Sequence, residues 1–248
     1  MTEEFEFFYP NKNLIIRQFC SRQFKHQVFL TMSISDNLNK IKSSLPQHVT
    51  LVVVTKTHPV EKLMEVYNAG HIIFGENKVQ EMLDKYEQLP KNIQWHLVGH
   101  LQSNKVKFIA PFVSLIHSVD SFKLLQEINK QAQKNNRIIN CLLQVYIADE
   151  ETKFGFDFSE IEQLLCSEEL KLLKNVNIVG LMGMATNTTD QGQIAKEFKS
   201  LNIFFKKLQS YYSSFQILSM GMSSDYMLAV ENGSTLVRIG SSIFGSRN

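Results

Sequence analysis

A single (β/α)8 barrel is the fold this sequence predicts, and three observations predict it. Short apolar runs alternate with helical stripes through eight repeats. The runs are continuously apolar rather than alternating, as parallel strands covered on both faces are. About 210 residues from Ser35 onward hold all eight units, near the lower bound for such a barrel, which leaves almost nothing for a second domain. An open doubly wound sheet is the competing arrangement, and eight units do not exclude it. No G-x-G-x-x-G follows the first strand, so a dinucleotide site has little support.

The elements follow in order. Leu38 and Ile41, after Ser35-Asp36, predict a short leading helix, and Val49 to Val54 predict the first strand. Val60, Leu63, Met64 and Tyr67 fall at i, i+3, i+4 and i+7, a helical stripe that Gly70 closes. Ile72 to Phe74 is the second strand, and Val79, Met82, Leu83 and Tyr86 repeat the stripe. Ile93 to Val98 is the third strand, with a helix from about Asn104; Val113 to Ile116 is the fourth, with a helix from Ser121 to Lys134. After the fifth strand, Cys141 to Ile147, Ser159 with Glu162 predicts a capping box for the next helix. Asn177 to Met182 is the sixth, followed by a helix whose one face carries Ile194, Phe198, Leu201, Phe205 and Leu208. Gln216 to Ser219, a helix from about Ser224 to Glu231, and Leu236 to Ile239 complete the pattern.

Composition excludes several classes. With 248 residues, 44% hydrophobic and 20% charged, the chain can bury a sizeable core. Its 26 basic and 24 acidic residues leave a net charge of +2, so there is no polyanion footprint and no nucleic-acid partner is expected. Cys20, Cys141 and Cys166 are odd in number and widely spaced, without a C-x-x-C pair, which predicts free thiols in a reducing, cytoplasmic setting. No run of about 18 apolar residues predicts a membrane span. Residues 1–32 differ from the rest: an acidic, aromatic start gives way to Asn11 to Thr31, with Lys12, Arg17, Arg22, Lys25 and His26 and no acid. We expect a disordered or loosely packed extension there, ahead of a barrel over residues 33–248. The basic part also has the composition of a transit segment, which keeps a mitochondrial location open, although Glu3, Glu4 and Glu6 weigh against it.

Barrel enzymes keep their chemistry just past the C-terminal ends of the strands. Lys56 stands there, where the apolar Leu51 to Val54 run stops and Pro59 opens the next element. A lysine that snorkels out of the rim is the plain alternative. Ser219-Met220-Gly221 and Arg238-Ile239-Gly240-Ser241 supply the turns after strands seven and eight, where barrels commonly hold phosphate on backbone N–H groups. A lysine opposite such a cradle predicts covalent capture of a phosphorylated carbonyl compound, since desolvation frees the amine as a nucleophile and permits a Schiff base. Both an aldolase acting on a phosphosugar and a pyridoxal phosphate site satisfy this. Arg238 helps to choose: two residues before Gly240, it points to the same side of the strand and could reach a pyridine nitrogen. An arginine there keeps that nitrogen unprotonated and weakens the ring as an electron sink.

The set Thr55-Lys56-Thr57-His58-Pro59, Phe74-Gly75-Glu76-Asn77 with Gln80-Glu81, Trp95 through Lys105, Ser118-Val119-Asp120, Gly180-Leu181-Met182, Leu218 through Ser223, and Val237 through Ser241 with Ile243-Phe244-Gly245 closely resembles the pyridoxal phosphate homeostasis protein family, the proline synthetase co-transcribed homologues. The resemblance runs from about Ser33 to Arg247. It implies a barrel like the N-terminal domain of alanine racemase, with pyridoxal 5′-phosphate held as a Schiff base on Lys56. It also implies Arg238 as the partner of the pyridine nitrogen and Asn77 as a polar residue facing the cofactor. Ser219, Met220, Gly221, Gly240 and Ser241 would then form the phosphate cradle. No catalytic residue is implied: the protein would buffer the cofactor or deliver it to apo forms of pyridoxal-dependent enzymes, as a monomer or weak dimer. The alternative is a racemase or decarboxylase, which needs a second proton-transfer group opposite the lysine. In the alanine racemase relatives an extra β domain or a partner subunit supplies it, and the nine residues after Ile239 lead us to expect no such domain. Two departures from the family, a shorter segment before the first strand and the N-terminal extension, bear on localisation rather than on the site.

The remaining features weigh less. His96 and His100 suggest a metal pair but lack a third ligand at usable spacing, so no metal is expected. Trp95 is read as core, Lys105 and Lys107 and the Asp149-Glu150-Glu151 run as solvated rim, and Glu76 as a carboxylate capping the helix that begins near Lys78.

Overall fold

The computed structural model describes residues 33–148 and 154–245 in full and, ahead of them, the backbone of three strands. These are β1 (Glu4–Tyr9), β2 (Leu14–Phe19) and β3 (Phe29–Leu30), paired antiparallel in that order. The sequence reading placed no strand there, although Glu4-Phe5-Glu6-Phe7 alternates with period two.

Eight parallel strands then close a barrel: β4 (Thr50–Val54), β5 (Ile73–Glu76), β6 (Gln94–Leu97), β7 (Leu115–Val119), β8 (Ile139–Tyr146), β9 (Val176–Met184), β10 (Ile217–Ser219) and β11 (Leu236–Ile239). Closure comes from β11 lying against β4, with Arg238 opposite Val52. Helices α1 (Ile34–Ser44), α2 (Val60–Asn68), α3 (Val79–Gln88), α4 (Val106–Ile109), α5 (Phe122–Lys134), α6 (Phe158–Cys166), α7 (Glu168–Lys171), α8 (Gln191–Tyr211), α9 (Tyr226–Glu231) and α10 (Ser241–Phe244) accompany them. The doubly wound alternative is therefore set aside.

Two local expectations change. The capping box before α6 is Asp157 with Glu160, each accepting the other's backbone N–H at 2.8 Å, because the helix starts at Phe158 and leaves Ser159 inside its first turn. The helix expected from Asn104 is a 3-10 turn, Ser103–Lys105, followed by the four residues of α4; Pro111 has no N–H with which to extend it.

The core has two parts. Val52, Leu115, Leu142, Met182 and Leu236 plug the barrel itself. The larger part lies between strands and helices, where the fully buried Trp95 meets Phe74 edge-on at 5.8 Å, a core residue as expected. Such a pair adds about 0.5–1.5 kcal/mol beyond its buried area. Above the plug the interior turns polar, with Arg238, Ser219 and His117 all buried, and the site is built on this layer.

Candidate functional site

All eight candidate residues gather on four neighbouring strands, β10, β11, β4 and β5. Lys56 lies in the turn after β4 and is half-buried. Among the described residues its ammonium makes neither a hydrogen bond nor an ion pair. Asn77, half-buried at the end of β5, likewise has a side-chain amide without a protein partner.

The two glycine turns are tied together by two hydrogen bonds. Arg238 donates its N–H to the Gly221 carbonyl at 3.0 Å, and Gly240 donates its N–H to Ser223 Oγ at 3.2 Å. Gly221 has φ +93°, in the left-handed region that favours glycine, and a Cβ there would lie 2.6 Å from the Ala229 Cβ. At Gly240 the constraint is close approach instead: a Cβ would lie 2.9 Å from the Val54 carbonyl oxygen, one strand away and two residues before Lys56. Ser241 follows at the start of α10.

Arg238 points into the barrel. Its Nη1 donates to the Ser219 carbonyl at 3.0 Å and to Ser219 Oγ at 2.5 Å, and Nη2 donates to the Gly183 carbonyl at 3.2 Å. No carboxylate forms an ion pair with it among the described residues. Burial pulls its pKa down to about 10, with the charge of Asp225 opposing, so it remains a cation at neutral pH.

Ser219 is a correction to the sequence reading. Its hydroxyl is fully buried and committed to the interior, 3.1 Å from His117 Nδ1 as well as bonded to Arg238, so it does not face the rim where a phosphate would lie. The reason is position: Ser219 is the last residue of β10, in register with the inward Leu236, and only Met220 and Gly221 belong to the turn. Met220 is itself buried, its N–H on the Leu236 carbonyl, so it too is a packing residue on its side-chain side.

The chain of polar contacts continues inward, with His117 Nε2 3.1 Å from His96 Nδ1. Burial first, then neighbouring positive charge, holds His117 well below the ordinary histidine range, and burial brings His96 down to about 3, so both rings are neutral. Since a guanidinium only donates, the one direction that leaves no hydroxyl hydrogen without an acceptor runs from Arg238 to Ser219, to His117 Nδ1, and from His117 Nε2–H to His96 Nδ1. His96 and His100 therefore diverge: His100 sits outside, 3.2 Å from Asp120. Among the described residues no group of three or more His, Cys, Asp or Glu could hold a metal ion.

Glu76 is a second correction. Rather than capping α3, its carboxylate is buried at the end of β5, with Oε1 2.7 Å from Lys85 Nζ and 2.5 Å from Thr55 Oγ1, while Oε2 has no partner. As the last residue of β5 it turns towards Lys85 and Thr55, and α3 begins without a side-chain cap. Burial raises its pKa, against the pull of Lys85. Lys85 Nζ also reaches Glu81 Oε1 and the Thr55 carbonyl, each at 2.7 Å. Thr55, Glu81, Lys85, His117 and Ser223 were given no site role from the sequence, although Thr55, Glu81 and Ser223 stand in the motifs that carry the resemblance and Glu81 and Lys85 are spaced by four. Asp149, Glu150 and Glu151 lie outside the described residues.

Residues 31–248 match the family described as alanine racemase, N-terminal domain. The chain is 36% identical over 231 residues to the pyridoxal phosphate homeostasis protein of Vibrio alginolyticus, covering 87% of this chain and 98% of the relative. It is 41% identical over 199 residues to that of Aquifex aeolicus strain VF5, covering 79% and 86%. The chain belongs to the pyridoxal phosphate homeostasis protein family. The family's fold is seen in PipY of Synechococcus elongatus PCC7942, which superimposes with a TM-score of 0.81 at 36% identity, covering 86% of this chain and all of PipY. A second PipY structure, with PLP bound, gives a TM-score of 0.77. In this family member, no helix among the described residues is long and apolar enough to cross a membrane.

Proposed function

We propose that the chain binds pyridoxal 5′-phosphate covalently on Lys56 and holds it in reserve, buffering it in the cell or passing it to apo forms of pyridoxal-dependent enzymes, without turnover of its own. The observation that carries this reading is the unpartnered Lys56 ammonium on the same rim as the Gly221 and Gly240 turns, where the backbone runs too close to its neighbours for any side chain. Arg238 adds to the fit: a buried cation without a carboxylate partner suits a neutral, unprotonated ring nitrogen as its neighbour.

When bound, the cofactor supplies an aldehyde that condenses with a lysine amine, one carbon–nitrogen linkage forming and one water leaving, with no change of oxidation state. Lys56 is the amine in this reading. The Met220-Gly221 and Gly240-Ser241 turns receive the phosphate, through the Gly221 and Ser241 N–H groups and the Ser241 hydroxyl, and Asn77 contacts the cofactor from the β5 side. Ser219 acts through Arg238, which it orients. Racemisation would need a second proton-transfer group on the face opposite Lys56, the reading assigns none, and the absence of turnover is part of the proposal.

The test is direct. Purified protein mixed with pyridoxal 5′-phosphate should gain a visible absorption band, and borohydride reduction with peptide mapping should find the pyridoxyl group on Lys56. Another lysine, or none, refutes the reading. In parallel, α-proton exchange of amino acids in deuterated water is followed by NMR; fast, saturable exchange lost in Lys56→Ala would overturn the non-catalytic part.

A further inference from the structure

The turn that carries Lys56 is held from both sides by charged groups that nothing so far assigns. On its N-terminal side, Thr55 is fully buried and anchored three ways. Its N–H donates to the Gly75 carbonyl at 2.9 Å, its carbonyl accepts from Lys85 Nζ at 2.7 Å, and its Oγ1 lies 2.5 Å from Glu76 Oε1. On its C-terminal side, Thr57 donates its N–H to Glu81 Oε1 at 2.5 Å. Lys85 joins the two sides, its ammonium meeting Glu76 and Glu81 at 2.7 Å each. Lys56 stands between the two anchors.

Thr57 has φ +66°, a left-handed conformation that a β-branched residue adopts only when its surroundings impose it. At this bend Glu81 captures the Thr57 backbone N–H. A buried ion pair seldom adds net stability over apolar packing of the same shape, so stability is a weak reason for placing three charges here. What the three provide is direction, since each contact fixes one backbone or side-chain atom next to Lys56.

We propose that Glu76, Lys85 and Glu81 form a positioning device for Lys56, setting the amine for attack on an aldehyde rather than holding the fold. This rests on the reading of Lys56 as the capturing residue. Glu81 is the residue to perturb, because its side chain is a quarter exposed and its loss leaves Lys85 with Glu76.

The experiment compares two ligands on the full chain: pyridoxal 5′-phosphate, and pyridoxine 5′-phosphate, which carries an alcohol where the aldehyde would be. Glu81→Gln should lower the rate of covalent capture and the affinity for pyridoxal 5′-phosphate about tenfold, while affinity for pyridoxine 5′-phosphate changes less than about twofold. Thr57→Gly keeps every charged group but frees the bend. It should reduce capture in the same selective way while the melting temperature holds or rises, a divergence that a purely structural role would not produce. Should Glu81→Gln fail to fold, Thr57→Gly decides. Equal weakening of both ligands, or capture that follows the melting temperature, overturns the inference and leaves the proposed function standing. A wild-type protein that captures no aldehyde brings down the proposed function itself.

Discussion

Replacing Ser219 by alanine separates the structural reading of this residue from the one its sequence motif suggests. The hydroxyl accepts from Arg238 at 2.5 Å and sits 3.1 Å from His117 Nδ1, in a fully buried position. A hydrogen bond to a charged partner contributes about 1.5–3 kcal/mol and a neutral one about 0.5–1.5 kcal/mol. Arg238 keeps its bonds to the Ser219 and Gly183 carbonyls, so the loss should stay near the sum of those two terms, about 2–4.5 kcal/mol. For a domain of this size each kcal/mol moves the melting temperature by about 2–4 °C, so a drop on the order of 10 °C is expected. Thermal unfolding followed by circular dichroism measures it, and titration with pyridoxal and pyridoxal 5′-phosphate reads the ligand side. Because the hydroxyl faces Arg238 and not the rim, both ligands should weaken by the same factor. A melting temperature unchanged within error, together with a loss confined to the phosphorylated ligand, would refute the placement and restore Ser219 to the cradle.

Four further outcomes follow from the geometry. Ser241→Ala should show the opposite selectivity, weakening pyridoxal 5′-phosphate and leaving pyridoxal alone; equal losses count against the cradle. Lys56→Ala should abolish the visible band yet change stability by no more than about 0.5 kcal/mol, since the ammonium makes no hydrogen bond or ion pair among the described residues; a collapse of the melting curve would contradict this. Gly240→Ala should impair phosphate binding and destabilise the β11–β4 pairing together, because the new Cβ would meet the Val54 carbonyl oxygen at 2.9 Å; wild-type affinity and melting would show the contact to be easily relieved. Acid should unfold the protein through its buried histidines. His71 is brought down to about 4 and His96 to about 3, with His117 also well below its ordinary value. In the unfolded chain all three take up protons near pH 6.5. The unfolded state then binds more protons, so stability is complete above about pH 6.5 and falls as the pH drops towards the folded values. A flat stability profile from pH 7 to 4.5 would mean that these rings are not held neutral.

The barrel was legible because its signals are local: continuous apolar runs mark strands covered on both faces, and stripes such as Val60, Leu63, Met64 and Tyr67 mark helices lying over them. The order of the chain around the barrel followed from repetition alone. Lys56, Gly221, Gly240, Ser241 and Arg238 could also be nominated in advance, since each stands at a strand end and in a parallel barrel all strand ends share one rim. What a single residue does within that rim was less accessible. Ser219 and Met222 lie three positions apart, yet the Ser219 hydroxyl turns inward to Arg238 while the chain comes to the surface only at Met222, a difference set by where β10 ends. The Glu76, Lys85 and Glu81 cluster was invisible as a unit, because Thr55 and Lys85 are thirty residues apart and meet only across β4, β5 and α3. The linkage of Arg238 through Ser219 and His117 to His96 joins strands far apart in sequence in the same way. Periodicity records which face of an element is buried, and the sequence by itself determined that much. Which buried polar groups satisfy one another depends on side chains brought within 3 Å by barrel closure, and only the tertiary structure decided it.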